Sequence, residues 1–438
     1  MVNEIIKKYL LKLASWLIRT PFYKLFIIAA VKSVYYYRKY DSNHDNKKSI
    51  LILNHERFTH DLDALSLDQR VKFLILPSRI QTLLNSLFLS NSYSYKVDSY
   101  INEKEETKEL VRFVVKFVNK LNDKYNLCGI ISCSFYYRQD FSYEFSSLTT
   151  HVPFYVIFKE YMKDDVVVDV TINRYKQNKF HFIGKQIFSA NKNVEKILLR
   201  SGVCREDQIS IVGSPRFDVM FNNKDASIKH DKQVVTLFSF YHSSGLIELE
   251  GDNNFFSDQG DGYYDLFKDV HTSVAELAVE NRGIEFVIKT KWGGQWHDRI
   301  VSTIYEASGI DILCEPNISL MSEGNAQTLI KKSSLVVAFN STTILEASLL
   351  GRNVIVPVYA EAIDKYFNSN LLFVKYLDSL IVASSNKDLK DKIMEHVVNP
   401  QFFPLPDKMM QEFLGFCDGQ SSKRILDEIL ENNKLINK

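Results

Sequence analysis

Short apolar runs alternate with amphipathic helical patterns along most of this chain. From Ser49 onward, such runs predict buried strands at residues 49–54, 71–76, 128–133, 153–158, 186–189 and 209–212. Between the second and third runs, apolar residues recur with a helical period from Lys104 to Tyr125. A second series predicts strands at residues 234–240, 284–289, 310–314, 335–339, 354–358 and 380–383. Because short apolar strands alternate with helices, each series predicts a parallel sheet with helices on both faces.

Length and composition fit two such α/β domains. The chain has 438 residues, which exceeds what one hydrophobic core usually serves. Hydrophobic residues make up 45% and charged residues 24%, as in an ordinary globular protein. Polar residues from Asn222 to Lys232 predict a linker. We therefore expect one Rossmann-like domain over residues 41–225, a second over residues 226–400, and crossover helices over residues 401–438.

Residues 1–40 form a separate, basic segment. They contain eight lysine or arginine residues and one acid, Glu4, although the whole chain has a net charge of only +1. This balance excludes a generally basic nucleic-acid-binding face. The longest apolar run here is too short to span a bilayer, which needs about 20 residues. Two hypotheses remain: amphipathic helices on an anionic membrane surface, or a helical pair packed on the protein's own core.

Several patterns that could hold a metal or a disulfide do not fit. The five cysteines are scattered without C-x-x-C spacing, which predicts reduced thiols in a cytosolic protein. His55 and His60 are five residues apart, whereas ligands on one helix face are four apart. The stretch from Asp252 to Asp261 lacks the ligand spacing of a calcium loop and predicts a mobile loop over a cleft. We expect neither a metal nor a cofactor.

The stretch from Ser334 to Pro357 predicts a strand, a turn, a helix and a second strand. Its turn carries the hydroxyls of Ser341, Thr342 and Thr343 at the start of the helix, where backbone N–H groups and the helix dipole favour a phosphate. Glu346 follows one helical turn later, where a carboxylate can accept hydrogen bonds from a ribose diol. The alternative is an ordinary helix N-cap with a capping glutamate.

Polar residues also follow strands in the first predicted domain. Residues 54–61 follow the first strand and suit the acceptor side of a cleft. Glu160 follows the strand at 153–158, where an acid could act in proton transfer, although a solvated Lys159–Glu160 pair is the alternative. The turn from Gly213 to Asp218 combines a guanidinium, Arg216, that suits a phosphate with a second acid, Asp218.

Further candidates follow strands in the second predicted domain. His242 lies in a Gly- and hydroxyl-containing loop after the strand at 234–240, and we interpret it as a proton donor or phosphate ligand, or else as an ordinary loop histidine. Lys289 and Lys291 end the next strand and could neutralise the phosphate of a leaving nucleotide. Either lysine could instead be simply exposed.

The order of these motifs resembles that of GT-B transferases of bacterial surface polysaccharides. The order is Lys159-Glu160, the turn from Gly213 to Asp218, the lysines at 289 and 291, the turn and helix from 340 to 347, and a terminal segment from 418 to 425. The turn at 341–346 also resembles that of UDP-N-acetylglucosamine 2-epimerase. The resemblance covers about residues 150–430, and it is nearest to Kdo transferases of capsule and lipopolysaccharide assembly. CDP-glycerol glycerophosphotransferases are similar more distantly.

This resemblance implies two Rossmann-like domains facing a central cleft, with the amphipathic segment as an N-terminal extension. It implies transfer of a sugar from a nucleotide donor, CMP-Kdo being one candidate, to a growing glycan or lipid-linked acceptor at the inner face of the cytoplasmic membrane. The implied nucleotide-binding residues are Ser341, Thr342, Thr343, Glu346, Lys289, Lys291 and Arg216. The implied catalytic residues are Glu160, Asp218 and His242. GT-B enzymes generally need no metal.

Two other functions stay open. A polyol-phosphate transferase of the teichoic-acid type would use the same nucleotide turn but usually relies on a histidine pair, for which the second domain offers His242 and His297. A non-catalytic GT-B scaffold that binds glycan or assembles a membrane complex belongs to a different class of protein.

Overall fold

The chain forms two compact units with separate sheets. The computed structural model describes residue 20 and residues 23–37, 47–89, 105–163, 165–222, 232–246 and 262–436. One unit comprises residues 1–219 together with 411–438, and the other comprises residues 220–410. The predicted loop from Asp252 to Asp261, most of the predicted linker and most of the basic N-terminal segment lie outside the described residues.

The first unit is built on a seven-stranded sheet in the order β1-β3-β2-β4-β5-β6-β7. All neighbouring strands are parallel except β1, which pairs antiparallel with β3. The strands are β1 Tyr35–Tyr36, β2 Ser49–Ile52, β3 Lys72–Ile75, β4 Leu127–Ser132, β5 Phe154–Ile157, β6 Gln186–Ser189 and β7 Ile209–Ile211. The helices are α1 Tyr23–Ser33, α2 Thr59–Leu65, α3 Ser78–Phe88, α4 Glu105–Tyr125, α5 Phe141–Thr150, α6 Asp165–Gln177, α7 Lys192–Arg200 and α8 Asp218–Asn222, which runs into the second unit.

The second unit is built on a six-stranded, entirely parallel sheet in the order β10-β9-β8-β11-β12-β13. Its strands are β8 Val234–Phe238, β9 Glu285–Lys289, β10 Ile318–Met321, β11 Leu335–Ala338, β12 Asn353–Pro357 and β13 Ile381–Ala383. Its helices are α9 Tyr264–Glu280, α10 Gln295–Ser308, α11 Ala326–Lys332, α12 Thr343–Leu349, α13 Lys365–Asn368 and α14 Asn386–Val398. Helices α15 Asp407–Leu414 and α16 Ser421–Ile436 lead back into the first unit.

One predicted strand is wrong. Residues 310–314 form a turn, and the third strand of the second unit is β10 instead. The Asp311 carboxylate accepts a hydrogen bond from the backbone N–H of Leu313 at 3.1 Å, and this bond closes the turn. The Leu313 side chain is 70% exposed, so the apolar run does not correspond to a buried strand.

The last helix completes the core of the first unit. Helix α16 packs against α2 and β4. Its residues Ile425, Leu426 and Ile429 are fully buried among side chains of β2, β3, β4, β5 and β6. The first part of this unit ends at Val219, and α16 begins more than 200 residues later in the chain. This distant helix therefore supplies part of the hydrophobic core that stabilises the N-terminal sheet.

Helix α1 packs against α4 through one side only. Ile27, Ala30 and Val31 are buried, whereas Leu25 and Ile28 are 60% and 46% exposed. None of the helices in the described part of the chain is long and apolar enough to cross a membrane.

Candidate functional site

The strand order of the second sheet identifies a site. Numbered in chain order within this sheet, the strands run 3-2-1-4-5-6, which is the Rossmann arrangement. The order reverses between β8 and β11, and ligands of open parallel sheets bind beyond the carboxyl ends of the strands at such a switch point. The loop that starts at Ser239 and the turn that starts at Asn340 lie at this point.

Asn340 joins these two loops. Its Nδ2 donates a hydrogen bond to the Ser244 carbonyl oxygen at 2.9 Å, and its Oδ1 accepts one from the backbone N–H of Leu372 at 2.9 Å. Its backbone has a φ of 43°, in the left-handed region that asparagine tolerates better than most residues. Gly245 passes so close that an added Cβ would lie 2.7 Å from Nδ2. The two loops are therefore held together with little freedom.

The predicted turn that carries the hydroxyls of Ser341, Thr342 and Thr343, here called the hydroxyl turn, is present. Its side chains form hydrogen bonds with one another. Ser341 Oγ donates to Thr343 Oγ1 at 2.9 Å, and Thr342 Oγ1 donates to Glu346 Oε1 at 3.2 Å. Thr342 makes no side-chain capping bond, but Ser341 Oγ accepts a hydrogen bond from the backbone N–H of Thr343 at 3.2 Å, as the capping alternative would require. Ser341 and Thr342 are half-buried, and their backbone N–H groups have no acceptor among the described residues. Glu346 is buried beneath the turn.

Ser239, at the end of β8, is engaged by two side chains that the sequence did not single out. Its Oγ lies 2.8 Å from Nε2 of His271 and accepts a hydrogen bond from Nε1 of Trp296 at 3.1 Å. His271 Nδ1 lies 2.6 Å from the Phe267 carbonyl oxygen, so Nδ1 carries the proton and Ser239 donates to Nε2. Complete burial lowers the pKa of His271 to about 4, which keeps the ring neutral. Ser239 therefore has no proton left to donate to a phosphate.

A sequence signal for His271 does exist. It occupies the buried face of α9, where Phe267 and Val274 are the expected apolar residues. A polar side chain on such a face needs a partner inside the protein, and that partner is Ser239.

His242 lies beside a cavity of about 310 Å³ in the second unit. Its ring stacks on Tyr264, with ring centroids 4.4 Å apart and an interplanar angle of 15°. The cavity combines aromatic walls with cationic and acidic groups, and it is lined by Tyr241, His242, Tyr264, Asp265, Phe267, Lys268, Arg299, Thr303, Glu306 and Ala307. The residues of the hydroxyl turn do not line this cavity, so the structure gives His242 and the turn different surroundings.

The two predicted phosphate-neutralising lysines differ in environment. Lys289 is 8% exposed, and its Nζ donates to the carbonyl oxygens of Thr290 and Ser322, both at 2.7 Å. Burial lowers the pKa of this ammonium. Lys291 is exposed, with its Nζ 4.9 Å from the ring centroid of Trp292. Lys289 is therefore a fixed positive charge at the end of β9, next to β8 in the sheet.

The contacts of Asp218 are those of a helix cap. Its Oδ1 accepts a hydrogen bond from the backbone N–H of Ser421 at 3.0 Å, and its Oδ2 accepts one from that of Ser422 at 2.7 Å. Asp218 is buried, so both carboxylate oxygens serve the first turn of α16. These bonds favour a structural role for Asp218 over the predicted catalytic one.

The rest of the turn from Gly213 to Asp218 fits this structural role. At Gly213, whose φ is +87°, an added Cβ would lie 2.5 Å from Oγ of Ser421. The backbone N–H of Arg216 donates to Oδ1 of buried Asp61 at 3.2 Å. Two motifs that the sequence presents separately, at 213–218 and 418–425, thus form one joint within the first unit.

Glu160 matches the alternative of a solvated pair. Its side chain is 44% exposed, and its Oε1 lies 3.7 Å from Nζ of Lys159. Asp63, on α2, accepts a hydrogen bond from the Tyr37 hydroxyl at 3.0 Å. Within the described residues, no group of three or more His, Cys, Asp or Glu side chains is placed to hold a metal ion.

A buried polar network lies at the switch point of the first sheet, between β2 and β4. Asp140 is buried, and its carboxylate accepts hydrogen bonds from Nδ2 of Asn54 at 2.8 and 2.7 Å, from Oγ of Ser132 at 2.6 Å and from Nε2 of Gln81 at 3.1 Å. Burial raises the pKa of Asp140 to about 6, although these bonds oppose the rise. Asn54 has a φ of 53°. The network fixes the loop that begins at Asn54.

Comparisons with known proteins identify the fold. No protein-family model matches the sequence, and no curated protein matches it. A Listeria monocytogenes protein provisionally assigned as a UDP-N-acetylglucosamine 2-epimerase has 14% identity and a TM-score of 0.53, over 88% of this chain and 96% of that one. S. aureus MnaA, in a co-structure with UDP, has 13% identity and a TM-score of 0.50, over 90% of this chain and 98% of that one.

The wall teichoic acid polymerase TagF, soaked with CDPG, has 14% identity and a lower TM-score of 0.49, over 100% of both chains. The likeness at TM-scores of 0.50 and above confirms the predicted GT-B fold with two parallel-sheet domains.

Proposed function

We propose that this protein is a GT-B transferase that binds a nucleotide-activated donor at the switch point of the second sheet. The observation that carries the proposal is the 3-2-1-4-5-6 strand order, with Asn340 bridging the two loops at the reversal. The nucleotide phosphate would accept hydrogen bonds from the Ser341–Thr342 turn, whose two backbone N–H groups have no acceptor in the described structure. Helix α12 has only seven residues, so the turn rather than a helix dipole supports this placement.

Fixed charge near the same strand ends supports the proposal. Lys289 is held by two carbonyl oxygens and has no carboxylate partner in the described part of the chain, so its charge is available to a phosphate. S. aureus MnaA, which shares the fold, was solved with UDP. His242 remains our candidate for proton transfer, while Asp218 leaves that set because of its capping bonds and Glu160 because it lies in a partly exposed pair with Lys159. The sugar, with Kdo as the sequence-based candidate, and the glycan or lipid-linked acceptor belong to this proposal.

Peripheral membrane association is a further part of the proposal. Its support in the described structure is the exposed pair Leu25 and Ile28 on α1. Apolar side chains on the outer side of a basic segment are typical of helices that lie on an anionic membrane surface.

A thermal-shift experiment with CMP, CDP, UDP, GDP and ADP tests the donor site. A ligand at about 100 times its Kd should add roughly 2.7 kcal/mol to the free energy of unfolding. Preference for CMP would support a CMP-sugar donor such as CMP-Kdo, and preference for CDP would favour the polyol-phosphate alternative. Thr342→Pro, at a position whose φ of −57° suits proline, removes one of the two backbone N–H groups and should weaken nucleotide binding by about 1.5–3 kcal/mol, the value of one lost charge-assisted hydrogen bond.

Thr328→Ala is the matched control, because Thr328 is an exposed hydroxyl residue of the same unit on α11. It should bind nucleotide like the wild type. If no nucleotide stabilises the protein, or if the Thr342→Pro variant binds as well as the wild type, the proposed donor site is wrong and the non-catalytic scaffold becomes the better hypothesis.

A further inference from the structure

The cavity of about 310 Å³ in the second unit lies between α9 and α10, two helices that pack against each other. One wall is formed by the start of α9, including Tyr264 and Lys268, and the other by α10, including Arg299 and Thr303. Residues four apart share one face of a helix, so both helices turn a continuous surface towards the cavity. Its volume lies at the lower end of the range of about 300–1,000 Å³ that is typical of small-molecule sites. The cavity therefore has the size of a site for one small ligand.

Aromatic rings line this cavity and are held in place by stacking. The Tyr241 ring stacks on Trp296, with ring centroids 3.9 Å apart and an interplanar angle of 23°. Trp296 is buried and does not line the cavity, so it supports the Tyr241 ring from behind. Tyr264 stacks on His242, which also lines the cavity. Aromatic rings that are fixed in this way offer a ligand flat apolar surface, and they lose little entropy when the ligand packs on them.

The charged side chains that line the cavity balance one another. Besides His242, two of them are cationic, Lys268 and Arg299, and two are acidic, Asp265 and Glu306. Nζ of Lys268 donates a hydrogen bond to Oδ1 of Asp265 at 2.6 Å, so these two charges pair with each other. A lining with balanced charges gives neither an anion nor a cation the net opposite charge that would offset the loss of its hydration.

A carboxylate also occupies the helix terminus beside the cavity. Oε1 of Glu361 accepts a hydrogen bond from the backbone N–H of Asp265 at 2.6 Å, and Oε2 accepts one from that of Leu266 at 3.0 Å. A phosphate that approached the start of α9 would meet this negative charge in the place where a helix N-terminus otherwise binds an anion. The cavity therefore favours an uncharged polar ligand with an apolar face, which is the chemistry of a sugar ring.

One loop connects this cavity to the proposed donor site. Tyr241 and His242 line the cavity, and the carbonyl oxygen of Ser244 in the same loop accepts the hydrogen bond from Asn340 that joins this loop to the hydroxyl turn. A ligand in the cavity would therefore lie beside His242, our candidate for proton transfer, and close along the chain to the donor site.

We propose that this cavity binds an uncharged sugar residue of the acceptor glycan. The inference rests on the proposed function, since it assigns an acceptor subsite to that transferase. The apolar face of the sugar ring packs on Tyr241 and Tyr264. Its hydroxyl groups donate hydrogen bonds to the carboxylates at the cavity wall and accept them from Arg299. The acceptor therefore presents a neutral sugar to the enzyme and not an acidic or phosphorylated one.

Saturation-transfer NMR with the full-length protein tests this inference. The neutral probes are glucose, galactose, mannose and N-acetylglucosamine, and the charged probes are anionic glucose 6-phosphate and cationic glucosamine. At least one neutral sugar should bind, and both charged probes should bind more weakly than that sugar.

Two variants test whether the bound sugar occupies the cavity. Thr303→Trp fills the cavity and should abolish saturation transfer to the sugar. Tyr241→Ala removes an aromatic wall and should weaken sugar binding about 10-fold. Gln295→Trp is the matched control, because Gln295 is an exposed residue of α10 outside the cavity, and it should have no effect. Thermal unfolding shows that each variant folds, and either variant decides if the other does not fold.

The outcomes separate this inference from the proposed function. If no neutral sugar binds, if a charged probe binds more tightly than every neutral sugar, or if the folded cavity variants bind like the wild type, the acceptor inference is overturned. In that case nucleotide binding in the thermal-shift experiment would still support the donor site. Sugar binding that Thr303→Trp abolishes, in a protein that no nucleotide stabilises, would instead remove the donor site and leave a sugar-binding site in the second unit.

Discussion

Replacing Asp218 separates a structural from a catalytic role. Asp218→Ala removes the acceptors of two short hydrogen bonds, from Ser421 and Ser422, at the start of α16. A hydrogen bond to a charged group contributes about 1.5–3 kcal/mol, and loss of an N-cap costs about 0.5–2 kcal/mol. These two contributions describe the same bonds in part, so we expect the free energy of unfolding of the first unit to fall by about 2–4 kcal/mol.

Asp218→Asn is the more informative variant. Its amide keeps one oxygen as acceptor but places an NH2 donor against the other backbone N–H, so we expect about half of the loss seen with alanine. For a unit of this size, the alanine variant should lower Tm by about 5–15 °C. The assay is thermal unfolding followed by circular dichroism and calorimetry, with nucleotide affinity as a second measurement that should not change.

Asp207→Ala is the matched control, since Asp207 is an exposed acid of the same unit that pairs only with nearby Arg205 in the described structure. It should leave Tm unchanged. The capping role would be refuted by an Asp218→Asn variant that unfolds like the wild type but has lost turnover. That result would restore the catalytic prediction made from the sequence.

Two further predictions concern pH and membranes. Burial raises the pKa of Glu144 from 4.5 to about 8, although the backbone N–H groups of Ile183 and Gly184 donate to its carboxylate and oppose the rise. The contribution of Glu144 to the free energy of unfolding is therefore fully present below pH 4.5 and is lost as pH rises towards 8. Glu144→Gln should reduce this loss of stability with rising pH. Urea unfolding at several pH values should show a difference of up to a few kcal/mol between variant and wild type. An unchanged pH profile would show that Glu144 does not cause the loss. Leu25→Gln with Ile28→Gln should reduce co-sedimentation with anionic vesicles without lowering Tm, because both side chains are exposed. Equal sedimentation of variant and wild type would rule out an interfacial role for α1.

Much of the fold could be predicted because the sheets are buried on both faces. Strands β2, β3, β4 and β5 are fully buried, so each is a nearly uninterrupted apolar run in the sequence. The one wrong strand, at residues 310–314, has the same apolar character. It differs by Asp311, whose side chain closes a turn through a local hydrogen bond that a hydrophobic pattern does not show.

The positions of the candidate site residues at strand ends could be predicted from the sequence, but the hydrogen-bond partners of these residues could not. Residues that follow parallel strands must gather at one edge of a sheet, which is why Asn340, Ser341 and Lys289 lie at strand ends as expected. The partner of Asp218 is 203 residues away along the chain, and that of Ser239 is 32 residues away. Spacing along a sequence shows only which residues are local neighbours. An acid that caps a helix and an acid that takes part in catalysis therefore have similar sequence patterns, and only the fold shows which groups each one contacts.

The position of α16 also affects how the chain reaches its native state on the ribosome. The second unit is one continuous stretch, residues 220–410, whereas the first unit needs residues 411–438 for its core. Synthesis proceeds from the N-terminus, so the second unit can fold while the first still lacks Ile425, Leu426 and Ile429. Until α16 has been synthesised, an apolar face of the N-terminal sheet stays uncovered and open to chaperones. A stop codon before Ser421 would therefore damage the part of the protein that is made first.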